Sequence, residues 1–69
     1  MDEDMQIILD YLLPVLQQTR GGRKIVSLTY AVEPGRETVT ITFQSGGTRR
    51  VVVTGDSGVA MIYEVIRAI

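Results

Sequence analysis

Apolar and polar residues alternate along three consecutive runs between Lys24 and Thr54, and two glycine-containing turns separate the runs. A period of two is typical of a half-buried β-strand. The pattern predicts strands over residues 24–32, 37–44 and 48–54. In the first run one side is apolar and carries Val26, Leu28, Tyr30 and Val32. Strands joined by turns this short predict an antiparallel meander.

The first turn, Glu33-Pro34-Gly35-Arg36, has proline and glycine where a β-turn favours them. A loop of these four residues would set apolar residues opposite each other in three pairs, Tyr30 with Val39, Leu28 with Ile41, and Val26 with Phe43. We expect this register because pairing and burial then agree.

The second turn contains Gly46-Gly47 and admits more than one register. A two-residue loop would set Ile41 opposite Val52, with Phe43 opposite Arg50. A three-residue loop would set Ile41 opposite Val51 or Val53. The apolar alternation favours the three-residue loop, with glycine in the left-handed conformation.

Helical spacing predicts a first helix over residues 2–19. Its wide apolar face carries Met5, Ile8, Leu9, Leu12, Leu13 and Leu16, and a second stripe carries Ile7, Tyr11 and Val15. Asp2, Glu3 and Asp4 suit the positive end of the helix dipole. Pro14 removes a backbone donor, so we expect a kink or a break there.

A second helix is predicted over residues 57–69, with Asp56 as the favoured N-cap and Ser57 as the alternative. It is apolar around more than half its circumference, so it requires cover from the sheet and from either the first helix or another subunit. The candidate protein interface on this helix comprises Met61, Ile62, Val65, Ile66 and Ile69.

The order α-β-β-β-α predicts a single α+β domain over residues 1–69, with two layers and both helices on the apolar face of the sheet. The other sheet face carries Ser27, Thr29, Thr38, Thr40, Thr42, Gln44, Arg50 and Val52. This face is rich in hydroxyl-bearing and β-branched side chains, so it can be exposed to water. A docking surface is the alternative interpretation.

The chain has 69 residues, no cysteine and 45% apolar residues. A domain this short buries only about 60% of its unfolded surface, and no disulfide or thiolate metal site can stabilise it. We therefore expect a homodimer, formed through the last helix or a sheet edge, or a complex with another protein.

Charge is sorted along the predicted fold, although the net charge is only −1. One end collects Arg20, Arg23, Lys24, Arg49, Arg50 and Arg67, and the opposite end collects Asp2, Glu3, Asp4, Glu33, Glu37 and Asp56. This sorting complements two helix dipoles. The alternatives are a site for phosphate, a nucleic-acid backbone or an acidic protein, and head-to-tail self-association.

Catalysis is disfavoured because the chain has neither histidine nor cysteine. Gly55-Asp56-Ser57-Gly58 resembles the nucleophile motif of trypsin-like proteases, but that mechanism needs a histidine base. We interpret it as a strand exit and a helix cap. No cofactor or metal is expected. An isoelectric point near 5.1 and few aromatic residues also disfavour nucleic acid as the main partner.

No apolar run reaches the length of about 18 residues that a membrane span needs. The acidic N-terminus is the reverse of a secretory signal, so we expect a cytoplasmic protein. The run from Val53 to Ile62 and the overall size resemble short uncharacterised proteins of Gram-positive bacteria and their prophages. The order of elements is similar to that of some small phage-encoded inhibitors of bacterial defence. Those that mimic DNA are strongly acidic and this chain is not, so the resemblance implies an intracellular, phage-related origin and no particular function.

The sequence thus favours a non-enzymatic protein-binding or assembly module. Binding of nucleic acid or another phosphate backbone through the basic end is the alternative.

Overall fold

A three-stranded antiparallel sheet lies at the centre of the computed structural model, which describes residues 4–69. The strands are β1 (Ile25–Glu33), β2 (Arg36–Phe43) and β3 (Thr48–Val52), in that order across the sheet. Helix α1 (Met5–Gln17) precedes them and helix α2 (Gly58–Arg67) follows. The predicted α+β order is confirmed, with bounds that shift by one to three residues.

The core lies between the sheet and the two helices. The helices contribute the buried apolar side chains of Met5, Leu9 and Leu16 from α1, and of Met61 and Val65 from α2. The sheet contributes Ile25, Leu28, Val39 and Ile41 from β1 and β2, and Val53 directly follows β3. Both helices therefore cover the same sheet face, and the layer order is the predicted one.

Helix α1 begins where Asp4 caps it, and the Asp4 carboxylate accepts a 3.1 Å hydrogen bond from the N–H of Ile7. The predicted acidic residues Asp2 and Glu3 lie outside the described residues. The predicted break at Pro14 is wrong, because the helix continues through it to Gln17. Pro14 has no N–H to donate to the carbonyl of Asp10. Both residues are exposed, so water can hydrogen-bond to that carbonyl instead.

The first hairpin turns at Pro34-Gly35, where Gly35 has φ of +73°. The predicted opposition of Tyr30 to Val39 and of Leu28 to Ile41 is confirmed.

The third predicted pair of this hairpin is wrong, because Phe43 lies opposite Ile25 rather than Val26. A bulge between Ile25 and Ser27 leaves Val26 without a partner on β2. Ile25 consequently enters the core, while Val26 is exposed.

The second hairpin has the predicted three-residue loop. The N–H of Gly46 donates to the carbonyl of Phe43, and the N–H of Phe43 donates to the carbonyl of Gly47, both at 2.9 Å. Gly46 has φ of +91°, which favours glycine.

The predicted registers of this hairpin are wrong, because Ile41 lies opposite Arg49 rather than Val51, Val52 or Val53. The loop begins directly after Phe43, one position earlier along β2 than the closest predicted register requires. Since cross-strand neighbours point to the same face, Arg49 lies on the helix-covered side.

Helix α2 begins after Ser57, whose hydroxyl oxygen accepts a 3.2 Å hydrogen bond from the N–H of Ala60. The prediction that Asp56 is the N-cap is therefore wrong, and the alternative prediction, Ser57, is correct. On the sheet face opposite the helices, Thr29, Arg50 and Val52 are exposed, whereas Thr38 is buried.

Candidate functional site

The outward surfaces of the two helices carry exposed apolar side chains. On α1 these are Ile7, Tyr11 and Val15, and on α2 they are Val59, Tyr63 and Ile66. Each of the six exposes between 50% and 77% of its surface. Residues three or four positions apart share one side of a helix, so each set forms a stripe. We call the six residues together the helical apolar surface.

A groove in this surface separates the C-terminal halves of the helices. Its volume is ≈ 470 Å³, and its lining is Leu12, Val15, Leu16, Thr19, Gly21, Ile66 and Ile69. Val15 and Ile66 belong both to the groove and to the two stripes, so the stripes border one depression. No charged residue lines it.

The structure divides the predicted protein interface on α2. Met61 and Val65 are fully buried in the core of one chain, so they are not available to a partner and their assignment to an interface is wrong. Ile62 and Ile69 are half-buried, and Ile66 is exposed. The accessible part of the predicted interface is therefore its outer edge, beside Val59 and Tyr63.

The predicted cationic patch is also divided, beginning with Arg49. Its guanidinium group lies on the helix-covered side of the sheet and donates a hydrogen bond to the carbonyl oxygen of Ala68. Ala68 is the C-cap of α2, where unpaired carbonyl groups carry partial negative charge. Arg49 thus stabilises the end of α2.

Arg50 lies on the opposite sheet face and forms a 3.1 Å ion pair with Glu33. The other carboxylate oxygen of Glu33 pairs with Arg36, also at 3.1 Å. The hydrogen bond from Arg36 is the main reason why the pKa of Glu33 is lowered. The side chain of Arg50 therefore extends toward the predicted acidic end.

Arg67 contacts two neighbours on its own helix. Its guanidinium group lies 3.7 Å from the carboxylate of Glu64 and 5.5 Å from the centre of the Tyr63 ring. The cations Arg20, Arg23 and Lys24 are exposed between α1 and β1, and their side chains make no hydrogen bond or ion pair with residues 4–69. Three of the six predicted cations thus remain unpaired within the described chain.

Helix α1 closes the outer edge of β1 through glutamine side chains. Gln6 donates from Nε2 to the carbonyl of Leu28 at 3.0 Å and accepts at Oε1 from the N–H of Tyr30 at 2.8 Å. Gln17 donates from Nε2 to the carbonyl of Ile25 at 2.9 Å. Sequence reasoning missed both residues, although their spacing of eleven, about three helical turns, places them on one side of α1.

The outer edge of β3 is open. The N–H of Phe43 bonds to the carbonyl of Gly47, and that of Val53 bonds to the carbonyl of Glu37. Because ladder bonds alternate along an antiparallel strand, the backbone groups of Thr48, Arg50 and Val52 point away from β2. None of these groups bonds to a described residue.

A second groove, with a volume of ≈ 350 Å³, lies along this open edge between β3 and α2. It is lined by Arg50, Val51, Val52, Glu64, Arg67 and Ala68. Edge and groove together make a site whose backbone donors and acceptors lie beside apolar side chains, two arginines and the acidic Glu64.

Tyr30 and Glu37 form a side-chain contact on the core-facing side of the sheet. The Tyr30 hydroxyl donates to Glu37, and the other carboxylate oxygen of Glu37 accepts from the N–H of Gly55 at 3.3 Å. The hydrogen bond raises the pKa of Tyr30 and lowers that of Glu37. This contact joins β1 and β2 to the turn before α2, which is a structural role.

Residues 4–69 contain no cluster of three or more acidic side chains that could hold a metal ion. In the same part of the chain, no helix combines the length and the apolar character that a membrane span requires. Comparison with protein-family models, with curated proteins and with solved structures finds no match.

Proposed function

We propose that this protein is a non-enzymatic assembly module that forms a homodimer through the helical apolar surface. The observation that carries the proposal is the exposure of six apolar side chains around one uncharged groove. Their exposed area is roughly 800 Å², comparable with the ~800 Å² that each partner buries in a standard interface.

A second copy is the occupant that fits this surface. A two-fold interface brings the same patch of both subunits together, so the patch must be compatible with itself. None of the six residues is charged, so two copies do not repel each other there. Tyr11 and Tyr63 add the residue type that is enriched in interface centres.

Light scattering at low and at high salt tests the dimer. An apolar interface is expected to give a dimer in both conditions, because salt screens charges and does not weaken apolar contacts. A double variant, Tyr11→Asp with Ile66→Asp, should be a folded monomer. Val26→Asp is the matched control, because Val26 is exposed to the same extent as Ile66 and lies outside the helical apolar surface.

A wild-type monomer at about 100 μM, well above the Kd of a stable dimer, contradicts the proposal. A dimer that dissociates only at high salt contradicts the apolar interface and points to charge sorting instead. Circular dichroism of the double variant separates loss of the interface from loss of the fold.

The phosphate-backbone alternative has less support, because the predicted cations do not lie together. Arg49 lies on the helix-covered side of the sheet, Arg50 on the opposite face and Arg67 on α2. Arg20, Arg23 and Lys24 alone remain between α1 and β1, and few phosphate contacts give a weak, salt-sensitive interaction. The cytoplasmic location and the phage-related origin stay predictions from the sequence.

A further inference from the structure

The two edges of the sheet differ. Gln6 and Gln17 occupy the outer edge of β1, whereas the outward N–H and C=O groups of β3 have no partner among the described residues. An open edge is a template for another strand. This observation is independent of the helical apolar surface.

The groove beside β3 gives an added strand side-chain contacts as well as backbone ones. An extended segment paired with β3 would lie next to α2, with alternate side chains directed into the groove. There they would meet Val51 and Ala68, which are apolar, and Arg67. Pairing to the backbone supplies affinity and the groove supplies selectivity, as in other cases of strand addition.

The charges of this site favour an acidic segment. Arg50 and Arg67 expose 61% and 63% of their side chains, and their ion pairs with Glu33 and Glu64 measure 3.1 and 3.7 Å. Exposed pairs of this kind are weak, so carboxylates of a bound segment can compete for both arginines.

A second copy of β3 is a poorer occupant. Antiparallel pairing of this five-residue strand with itself over its full length would set Arg50 opposite Arg50 of the other copy. Like charges directly opposite each other destabilise a strand pair.

We propose that β3 binds an extended acidic segment of another protein, which adds to the sheet as a fourth strand and lies in the groove between β3 and α2. The segment carries both carboxylate and small apolar side chains on each of its two faces. Its carboxylates meet Arg50 and Arg67, and its apolar residues meet Val51 and Ala68.

The probe for this site is an acetylated heptapeptide in which pairs of glutamates alternate with pairs of valines, so that both residue types lie on each face. It is titrated into the isotopically labelled full chain and followed by NMR. Amide signals of Thr48, Arg50 and Val52 should shift. Arg67→Ala should weaken binding about fivefold, because one exposed ion pair is lost. Arg23→Ala removes the same charge from a remote site and should leave the affinity unchanged.

Two further reagents test strand pairing. Val52→Pro removes one outward N–H and keeps the ladder to β2, so it should weaken binding while the fold is retained. A heptapeptide whose alternate backbone nitrogens are methylated has the same charge but lacks donors, and it should not bind.

Equal binding of the methylated peptide, or equal weakening by Arg23→Ala and Arg67→Ala, would overturn strand addition in favour of charge attraction alone. Absence of binding at about 1 mM peptide, an affinity of only ~4 kcal/mol, would also overturn it. Concentration-dependent shifts of Arg50 and Val52 without peptide would assign the edge to a second copy. The double variant Tyr11→Asp with Ile66→Asp should be monomeric and should still bind the peptide. Failure of the dimer proposal and failure of the strand-addition proposal can therefore be distinguished.

Discussion

The backbone N–H of Tyr30 donates a 2.8 Å hydrogen bond to Oε1 of Gln6, and α1 thereby fills the position that a neighbouring strand would take. Gln6→Leu leaves this N–H and the carbonyl of Leu28 without partners. We expect a loss of about 1–3 kcal/mol in the free energy of unfolding, since unsatisfied backbone groups are costly. Urea denaturation measures it.

The matched control for Gln6→Leu is Gln18→Leu, because Gln18 ends the same helix and is exposed. The control should change the free energy of unfolding by less than about 0.5 kcal/mol. Similar losses in both variants would mean that the Gln6 amide does not hold the edge.

Arg49 contributes to stability rather than to ligand binding. Arg49→Ala removes the hydrogen bond to Ala68 and a positive charge from the C-terminus of α2. We expect a loss of about 1 kcal/mol. Thermal unfolding measures the change, with Arg23→Ala as a control of equal charge and no partner among the described residues. If Arg23→Ala were equally destabilising, net charge and not this contact would explain the loss.

Stability should fall at low pH through Glu37. Its pKa is lowered, first by the hydrogen bond from Tyr30 and then by the N–H of Gly55. A depressed folded-state pKa gives a contribution that is complete above the unfolded value of about 4.3 and is lost as the pH falls through the folded value. Glu33 acts in the same direction, chiefly through Arg36. The effect is measured as the urea concentration at the midpoint of unfolding, between about pH 2 and about pH 7.

Stability should also fall at high pH through Tyr30, whose pKa is raised mainly by its hydrogen bond to Glu37. This contribution is complete below the unfolded value of about 10 and is lost as the pH rises through the folded value. Tyr30→Phe should flatten the alkaline limb and part of the acid limb. Tyr63→Phe, in which the altered hydroxyl is exposed, should leave both limbs unchanged.

Gly22 lies too close to the last turn of α1 to accept a side chain without movement. A Cβ atom there would lie 2.2 Å from the carbonyl oxygen of Leu16, so the turn after α1 would have to move. We expect Gly22→Ala to destabilise the protein by about 2–3 kcal/mol. In Gly47→Ala the nearest contact is 3.4 Å, and φ is not positive. A smaller loss for Gly22→Ala than for Gly47→Ala would contradict the packing of this turn.

The sequence predicted the order of elements because periods of two and of about 3.6 are clear along the chain. The first hairpin was largely correct, since Pro34-Gly35 restricts the turn. The loop length of the second was correct but its register was not, because Val51, Val52 and Val53 fit several registers equally well. The favoured registers differ from the observed one by two or four residues, which leaves the sheet face of Arg49 unchanged.

Other features had weaker signals in the sequence. The bulge at Val26 interrupts no visible pattern, and it was missed. Both sides of α2 are apolar, so spacing could not tell whether Met61 and Val65 or Val59 and Ile66 enter the core. Gln6 and Gln17 were missed because a polar side chain on a helix usually faces water, and only the neighbouring strand edge gives them a role.

Because glutamine side chains occupy the β1 edge, they determine how many strands can add to the sheet. A sheet with two open edges can grow in both directions and form fibres, whereas this sheet can accept one added strand and then stops at α1. If a segment adds to the sheet as proposed, each chain therefore offers it one site, at β3. In a dimer joined through the helices, two such sites would act together, so that a partner with two acidic segments would be held by avidity.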